Sequence, residues 1–322
     1  MRRVLLALLI ASVCTTLVQA QDSYPNRAIT MVVPISPGTS SDLIARSLGA
    51  KLAERLRQPV VIENKVGASG MIGLDYTAKA APNGYTMALL VNSAMFLPAL
   101  LKNMPFDLAT DFAPIAKVAT APLTLAVHPS VPARDLKELV ALLKASPGKY
   151  TYASPGTGTI QHVGMEMFKL ELGVDVLHVP HKSTADVTNN LVGGHVDMIF
   201  GSAPSLVILS ASGKLRLLAM SGPMPGTAAA SVPTLAELGY PSLSAITQWY
   251  GFIAPAKTPA AIVARLNREL RQIVEMPEVR TLLIEKQGLG VAVGSPEELG
   301  ALIVGDIERW KRVVREAKIS VE

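Results

Sequence analysis

A Ser-Pro-Gly-Thr tetrapeptide occurs twice in the chain, at residues 36–39 and again at residues 154–157. Each copy follows a short apolar run typical of a strand and precedes a run with helical periodicity. The first turn of a helix has unpaired N–H groups and a partial positive charge, which together can hold a carboxylate or a phosphate. The two tetrapeptides are therefore candidate halves of one anion site. The alternative is ordinary turn chemistry repeated by chance.

The residue types in these turns are suited to anion binding. Glycine lets a backbone N–H approach a ligand closely, and threonine and serine hydroxyls can donate a hydrogen bond. If the two turns belong to different domains, they face each other across a cleft, and two helix N-termini can hold one anion from both sides. The candidates in these turns are Ser36, Gly38, Thr39, Ser40, Ser154, Thr157, Gly158 and Thr159.

Two ionisable side chains lie in the first turns of the helices that follow. Asp42 either stabilises the positive end of its helix or contacts a ligand amine or a water molecule. His162 either donates to the ligand or supports the loop Thr157–Thr159, and the supporting role is preferred.

Polar residues also follow the second and third predicted strands. Asn64, Ser69 and Asn92 are expected to form the floor of the cleft, unless they serve only to form turns. Trp249 and Tyr250 are expected to fill the core, because large aromatic side chains mostly contribute burial.

No pattern of a catalytic, metal or cofactor site accompanies these residues. His178 and His181 bracket a Val-Pro pair, but no acidic cluster or HExxH pattern completes a metal site. The sequence has neither a G-x-S-x-G elbow nor a P-loop, and no base is placed beside a nucleophile. We therefore predict no enzyme activity, no metal and no cofactor. His181, in the loop after a strand, is expected to contact the ligand.

The predicted elements alternate strand and helix, which is typical of an α/β protein with a parallel sheet covered by helices. The apolar stretch 116–128 is expected to be extended and to cross between domains. Further helices are expected to begin with Pro259 as the first helical residue and after Ser295, which opens a Ser-x-x-Glu capping box. The other predicted elements are strands at 29–34, 60–63, 85–91, 150–153, 174–179, 196–200 and 215–220, and helices at 41–56, 71–79, 136–145 and 160–172.

The N-terminus has the features of a secretory signal, with Arg2 and Arg3 before an apolar run and a small residue at Ala20. Cleavage after Ala20 removes Cys14, the one cysteine, and leaves no thiolate for a disulfide or a metal. A formal net charge of +5, without a basic run interleaved with aromatic residues, argues against a nucleic-acid partner. We predict an exported, periplasmic protein without a transmembrane helix after the signal.

Ordered segments of the sequence resemble the Bug family, the extracytoplasmic solute-binding receptors of tripartite tricarboxylate transporters. One segment is VPISPGTSSDLIAR, where the family has VPF-x-PGG-x-x-D-x-x-AR. Others are VVIENKVGASGMIG and APNGYTM, where it has VVENRPGAGG-x-IG and PDGYTL. A longer one is YASPGTGTIQHVGMEMFKLELGVDVLHVPHK, where it has YAS-x-G-x-GS-x-x-H…HVPYKG. In the family's order follow LVGGHVDMIF, SGKLRLLAM, VPTLAELGYP and WYGFIAPAKTP.

This resemblance implies a two-domain α/β periplasmic solute-binding protein of the Venus-flytrap type (type II-like), with a hinge and an interdomain cleft. After a signal peptide at 1–20, residues 21–120 and 245–322 would form domain 1, and residues 121–244 would form domain 2. The expected partners are a small carboxylate ligand and membrane transporter subunits. We expect a monomer.

The resemblance also implies how the ligand is held. The loops Ser36–Asp42 and Ser154–His162 would hold a carboxylate like pincers, partly through ordered water. The sequence departs from the family's pattern at Thr39, His181 and Gly201, which leaves the identity of the ligand open. The complete set of expected ligand contacts is Ser36, Gly38, Thr39, Ser40, Asp42, Asn64, Ser69, Asn92, Ser154, Thr157, Gly158, Thr159, His162, His181 and Ser202.

Two other functions remain open at this point. A receptor of this kind can be the input of a membrane histidine kinase, and neighbouring genes would distinguish sensing from transport. A periplasmic hydrolase or isomerase can use the same scaffold, and turnover of a bound ligand would reveal it. The missing catalytic motifs argue against an enzyme.

Overall fold

The structure is a computed structural model that describes residues 24–101, 103–224 and 228–319. The predicted signal peptide and part of the predicted loop 222–231 lie outside the described residues. The strands are β1 (Ile29–Val33), β2 (Val60–Asn64), β3 (Thr86–Val91), β4 (Phe112–Ala121), β5 (Leu123–Val127), β6 (Thr151–Ser154), β7 (Leu177–Pro180), β8 (Met198–Ser202), β9 (Arg216–Met220), β10 (Gln248–Pro255) and β11 (Gly290–Val291). The α-helices are α1 (Ser40–Leu56), α2 (Met71–Ala78), α3 (Leu97–Leu100), α4 (Leu136–Ala145), α5 (Ile160–Leu172), α6 (Thr184–Val192), α7 (Ala203–Ala211), α8 (Ala260–Val274), α9 (Pro277–Thr281) and α10 (Pro296–Glu316).

The first sheet has six strands in the order β11-β4-β10-β3-β1-β2. β1 pairs in parallel with β2 and β3, and β10 pairs antiparallel with β3 and β4. Four of the five residues of β1 are buried, as expected of an apolar strand inside a helix-covered sheet. Because the carboxyl ends of parallel strands meet at one edge, the loops after β1, β2 and β3 lie at the same edge of this sheet.

The second sheet has five strands in the order β7-β6-β8-β5-β9. β6 pairs in parallel with β7 and β8, and β5 runs antiparallel between β8 and β9. Each sheet has its own strands, since the second uses residues 123–220 and the first uses those before and after. The predicted two-domain α/β class is confirmed. The domain boundaries at residues 120/121 and 244/245 stay a prediction.

The predicted extended stretch 116–128 consists of two strands that belong to different sheets. β4 ends at Ala121 and β5 begins at Leu123, with the buried Pro122 between them. The chain returns to the first sheet at β10, which begins at Gln248. Two backbone segments therefore connect the sheets.

Side-chain hydrogen bonds tie these two connections together. The Ser221 hydroxyl accepts from the backbone N–H of Leu123 at 2.9 Å and lies 2.8 Å from the Thr247 hydroxyl. Asn92, directly after β3, donates its side-chain amide to the Thr247 carbonyl at 3.1 Å. The three side chains thus link β3 to both of the segments that connect the sheets.

The helices at the C-terminal end of the chain cover the first sheet. The predicted capping box of α10 is confirmed, with Ser295 and Glu298 each bonding the other's backbone N–H. The prediction for Pro259 was wrong by one residue, because Pro259 is extended (ψ 136°) and α8 begins after it. Trp249 and Tyr250 are both buried, as predicted. Within the described ranges, no helix combines the length and the apolar character that a membrane span requires.

Candidate ligand-binding site

The first candidate loop joins β1 to α1 and ends in a threonine cap. The Thr39 hydroxyl accepts from the backbone N–H of Asp42 at 3.4 Å and donates to the Ser36 carbonyl at 2.9 Å. Gly38, directly before the cap, has a φ of +80°, a conformation that suits glycine. Ser36, Gly38 and Ser40 are exposed. The N-terminus of α1 therefore opens onto a loop of small polar residues.

The buried carboxylate of Asp42 supports this loop. Its side chain is buried, and its Oδ2 accepts from the backbone N–H of Gly38 at 3.0 Å and from Arg46 Nε at 2.8 Å. Its Oδ1 accepts from Asn64 Nδ2 at 2.9 Å. The hydrogen bond from Arg46, with those from Gly38 and Asn64, lowers the pKa of Asp42 to about 2 despite burial. Both carboxylate oxygens are engaged inside the protein, which supports a structural role for Asp42.

The second candidate loop joins β6 to α5 and ends in a cap of the same geometry. The Thr159 hydroxyl accepts from the backbone N–H of His162 at 3.4 Å and donates to the Gly156 carbonyl at 2.8 Å. Gly158 has a φ of +81° and donates its backbone N–H to His162 Nδ1 at 3.1 Å. Thr157 is exposed.

The two loops are equivalent, but their equivalent residues are not those of the repeated tetrapeptide. Thr39 matches Thr159, with backbone angles of −76° and 164° in the first and −73° and 157° in the second. Gly38 matches Gly158 in the same way. The second Ser-Pro-Gly-Thr begins at the last residue of β6, so two more residues, Gly158 and Thr159, precede the helix. Thr157 is therefore not the cap that Thr39 is.

His162 stacks on His178 beneath the second loop. The ring centroids are 4.2 Å apart with an interplanar angle of 16°. His178 also stacks on Tyr152, its register partner on the neighbouring strand, at 4.7 Å and 17°. Burial lowers the pKa of each histidine to about 4, and the Lys169 ammonium contributes to both shifts. Both rings are therefore neutral at pH 7.

A partly buried ion pair completes this cluster. Tyr152 donates its hydroxyl to Glu166 Oε1 at 2.6 Å, and Lys169 Nζ lies 3.0 Å from the same oxygen. Burial and the Glu166 carboxylate raise the pKa of Tyr152, so the phenol stays protonated. Glu166 thus fixes the tyrosine against which His178 stacks.

Ser154 and His181 lie beside the second loop. Ser154 is buried, and its hydroxyl lies 2.7 Å from His178 Nε2 and accepts from the backbone N–H of Gly156 at 3.3 Å. His181 donates its backbone N–H to the Ser154 carbonyl at 2.9 Å. Its ring Nδ1 lies 2.9 Å from the Val179 carbonyl. Because a carbonyl only accepts, this Nδ1 carries the proton and Nε2 is the acceptor when the ring is neutral.

The remaining predicted contacts occupy different environments. Asn64 is half-buried and donates to the Ile35 carbonyl at 3.1 Å as well as to Asp42, so it braces the first loop. Ser69 is exposed and has a left-handed φ of 56°. Asn92 is fully buried, and within the described ranges its Oδ1 has no hydrogen-bond partner. Ser202 is exposed at the end of β8. Their contacts with a ligand stay predictions.

Sequence reasoning did not assign Arg46 or His178 to the site. Arg46 follows Asp42 by four residues, which is one helical turn, and also donates to Asn64 Oδ1 at 3.0 Å. His178 reaches the loop because β7 pairs with β6. The four-residue spacing was a usable signal for Arg46, whereas the strand register behind His178 has no local signal.

The described residues contain no group of three or more His, Cys, Asp or Glu side chains placed to hold a metal ion. A cavity of about 440 Å³ lies beside the connections between the sheets, lined by Pro122, Ser221, Thr247 and Arg280 among others. It touches neither candidate loop.

Comparison with known proteins agrees with this arrangement. A family model described as "Tripartite tricarboxylate transporter family receptor" matches residues 44–319. The chain belongs to this family. It is 35% identical over 297 residues to protein BugT of Bordetella pertussis, which covers 92% of this chain and 90% of BugT. The family consists of solute-binding receptors rather than enzymes, which confirms the prediction that the chain is a receptor.

Two solved structures share the fold over nearly the whole chain. One is Rpa4515 of R. palustris with adipate, with a TM-score of 0.72 and 30% identity, covering 92% of this chain and 99% of that one. The other is MatC (Rpa3494) of Rhodopseudomonas palustris with bound malate, with a TM-score of 0.69 and 29% identity, covering 90% of this chain and 100% of that one.

Proposed function

We propose that the protein is a periplasmic receptor that binds a small carboxylate between its two α/β domains and delivers it to the membrane subunits of a tripartite tricarboxylate-type transporter. The observation that carries this proposal is the pair of equivalent loops, each of which brings a capped helix N-terminus to a run of glycine, serine and threonine. The adipate and malate of the related structures support a carboxylate as the ligand.

The first turns of α1 and α5 are suited to hold the two carboxylates of a dicarboxylic acid, or the two oxygens of one carboxylate. Each presents N–H groups and a partial positive charge, and hydroxyls of Ser40 and Thr157 are exposed beside them. The negative charge of Asp42 lies close to the first loop, but Arg46 balances it. The loops can therefore accept an anion without a lysine or arginine that contacts it directly.

The ligand would contact both loops only when the domains close on it. Binding then shifts the population from open to closed, and the transporter recognises the closed shape. The hydrogen bonds of Asn92, Thr247 and Ser221 lie where the two segments that connect the sheets run side by side. We propose that this hydrogen-bond network guides the closure of the two domains, since it joins β3 to both of the segments that connect the sheets.

Thermal unfolding with a panel of small acids tests the proposed function. The panel contains malate, adipate, succinate and citrate, with the neutral diamides of malate and adipate as controls. A ligand at about 100 times its Kd adds about 2.7 kcal/mol of stability, which is a shift of several degrees for a chain of this size. Stabilisation by an acid and not by its diamide is the expected result. Stabilisation by the diamides alone would contradict carboxylate binding.

The Thr157→Val variant tests whether the second loop contacts the ligand. Its hydroxyl is exposed and does not cap α5, so its loss should weaken binding without loss of stability. The matched control is Thr110→Val, since Thr110 is an exposed loop threonine before β4, at the opposite end of the first sheet. Equal affinities in the two variants would mean that the Thr157 hydroxyl does not contact the ligand.

Two further parts of the proposal have separate tests. The protein would be a monomer, which light scattering on the eluting peak of a sizing column measures directly. The signal peptide would end at Ala20, and the mass of the protein recovered from the periplasm tests this. A partner of the sensor-kinase class has no observation in its favour.

A further inference from the structure

The two loops differ in the side chain that accepts the N–H of the glycine before the cap. In the first loop Gly38 donates to a carboxylate, at 3.0 Å from Asp42 Oδ2. In the second loop Gly158 donates to an imidazole nitrogen, at 3.1 Å from His162 Nδ1. Asp42 and His162 hold the same position, three residues after the capping threonine.

This hydrogen bond requires one protonation state of His162. An imidazole nitrogen accepts only when it carries no proton, so Nδ1 must be bare and the neutral ring carries its proton on Nε2. A second proton on the ring would turn Nδ1 into a donor that faces the N–H of Gly158. Two donors cannot share a hydrogen bond, so the protonated ring would release the glycine.

His178 holds the other end of the same loop. Its Nε2 lies 2.7 Å from the hydroxyl of Ser154, which also accepts from the backbone N–H of Gly156. The Ser154 hydroxyl can donate to a neutral His178 or accept from a protonated one. This contact therefore survives either protonation state, in contrast to the contact between His162 and Gly158.

Burial and the charged groups around the pair disfavour a second proton on either ring. Burial and Lys169 of α5 lower the pKa of both rings, and His162 also lowers the pKa of His178. Glu166 of α5 favours the proton on His178, and His181, after β7, opposes it; Tyr152 of β6 is protonated and uncharged. His162 also lies in the first turn of α5, at the positive end of the helix dipole.

We propose that His162 and His178 are positioning residues that hold the second loop in its binding geometry, and that protonation of His162 releases this loop while Asp42 still holds the first. The proposal rests on the proposed function, because it assigns the second loop a part in ligand binding. It predicts that the receptor loses its ligand in acid because the second loop is released while the first loop stays in place.

Nuclear magnetic resonance of the ligand-free mature protein tests the proposal independently of any ligand. Long-range proton–nitrogen spectra of the histidine rings should show His162 neutral at pH 7, with its proton on Nε2. The amide signal of Gly158 should move with the titration of His162, near pH 4. A proton on Nδ1 at pH 7, or an unmoved Gly158 signal, would overturn the proposal.

The first loop provides the design of the matched variants. Because Asp42 reaches the glycine N–H from the same position, His162→Asn should place an uncharged amide oxygen there, whereas His162→Leu cannot accept. The Gly158 amide signal should stay bonded in His162→Asn and change in His162→Leu. His195→Asn, at an exposed histidine, is the control for loss of a histidine. Identical Gly158 signals in the Asn and Leu variants would contradict the role of His162.

Binding of adipate and malate then tests the consequence for the ligand. Affinity should fall roughly tenfold in His162→Leu, the loss expected for one hydrogen bond, and His162→Asn, which supplies an acceptor again, should recover part of that loss. Below pH 5 the affinity of the parent protein should fall faster than that of His162→Asn. Protonation of adipate or malate lowers both affinities equally, so the difference between them comes from His162. Equal losses in acid would overturn the proposal.

The direction of a linked pKa shift separates positioning from direct contact. If protonation of His162 weakens binding, then bound adipate must lower the pKa of His162 by the same coupling. A direct ion pair between the ligand and His162 would raise it instead. If neither acid binds the parent protein, the choice of carboxylate fails, while the ligand-free spectra still decide whether His162 positions the loop.

Discussion

The two candidate loops share a backbone and differ in what supports it. Each ends in a threonine cap after a glycine of left-handed φ, and in each the glycine N–H bonds the side chain three residues after the cap. Beneath the first loop lies a carboxylate paired with a guanidinium, and beneath the second lies a stack of two neutral histidines on a tyrosine. The same loop geometry can therefore be held by a charged or by an uncharged network.

This difference determines how each loop should respond to change. Asp42 has a pKa of about 2, so its carboxylate stays charged over the acid range in which His162 and His178 take up protons. The second network depends on rings whose pKa is about 4. The first loop should be sensitive to removal of its carboxylate, and the second to acid.

The largest expected effect is that of Asp42→Ala. The change removes the acceptor of the Gly38 N–H and one of the acceptors of the Asn64 amide and of the Arg46 guanidinium, and we expect a loss of about 3 kcal/mol of unfolding free energy. Urea unfolding measures the loss. Glu308→Ala is the control, since its ion pair with Lys311 is exposed and contributes little. Equal effects of the two changes would show that Asp42 is not a support.

Acid should reduce the stability of the parent protein before it affects the first loop. The unfolded chain takes up protons on His162 and His178 near pH 6.5, whereas the folded chain keeps both rings neutral to about pH 4. Since stability falls wherever the unfolded state binds more protons, the free energy of unfolding should decrease as the pH falls from about 6.5 to about 4.

Urea unfolding at a series of pH values measures this slope. His162→Asn should have a shallower slope over the same window, because one of the two titrating rings is gone. His195→Asn, at an exposed histidine, is the control for the loss of one histidine side chain. If His162→Asn has the parent slope, the histidine stack does not carry the acid response.

Removal of the capping threonines should have the smallest effects on the unfolding free energy, and the effects at the two caps should be nearly equal. Thr39→Ala and Thr159→Ala each remove a cap of the same geometry, so each should cost about 1 kcal/mol of unfolding free energy. Thr157→Ala, in the repeated tetrapeptide, removes no cap and should change stability by less than about 0.5 kcal/mol. A larger cost for Thr157 than for Thr159 would restore the tetrapeptides as the equivalent residues.

Much of the fold could be predicted from local patterns. Helices α4 and α5 have the predicted bounds, because apolar periodicity and the flanking residues agree there. The equivalence of the loops could not be read from the repeated tetrapeptide, since the residue that caps a helix depends on where the helix begins, and α5 begins three residues after Thr157. A shared tetrapeptide located both loops and misaligned them by two residues.

The support of the site was harder to predict than the loops themselves. Asn64 reaches Asp42 because β2 pairs with β1, where Asn64 lies opposite Val33. His178 reaches Ser154 because β7 pairs with β6. Such contacts depend on strand register across long stretches of chain, which a single sequence does not contain in any local pattern.

Binding of one carboxylate between the two loops is tested most directly by a titration of the mature protein with adipate and malate, followed through the backbone amide signals. Amides of both loops, residues 36–42 and 154–162, should shift together and saturate at one ligand concentration. Shifts confined to one loop, or shifts elsewhere while both loops stay unchanged, would contradict a single carboxylate held between them.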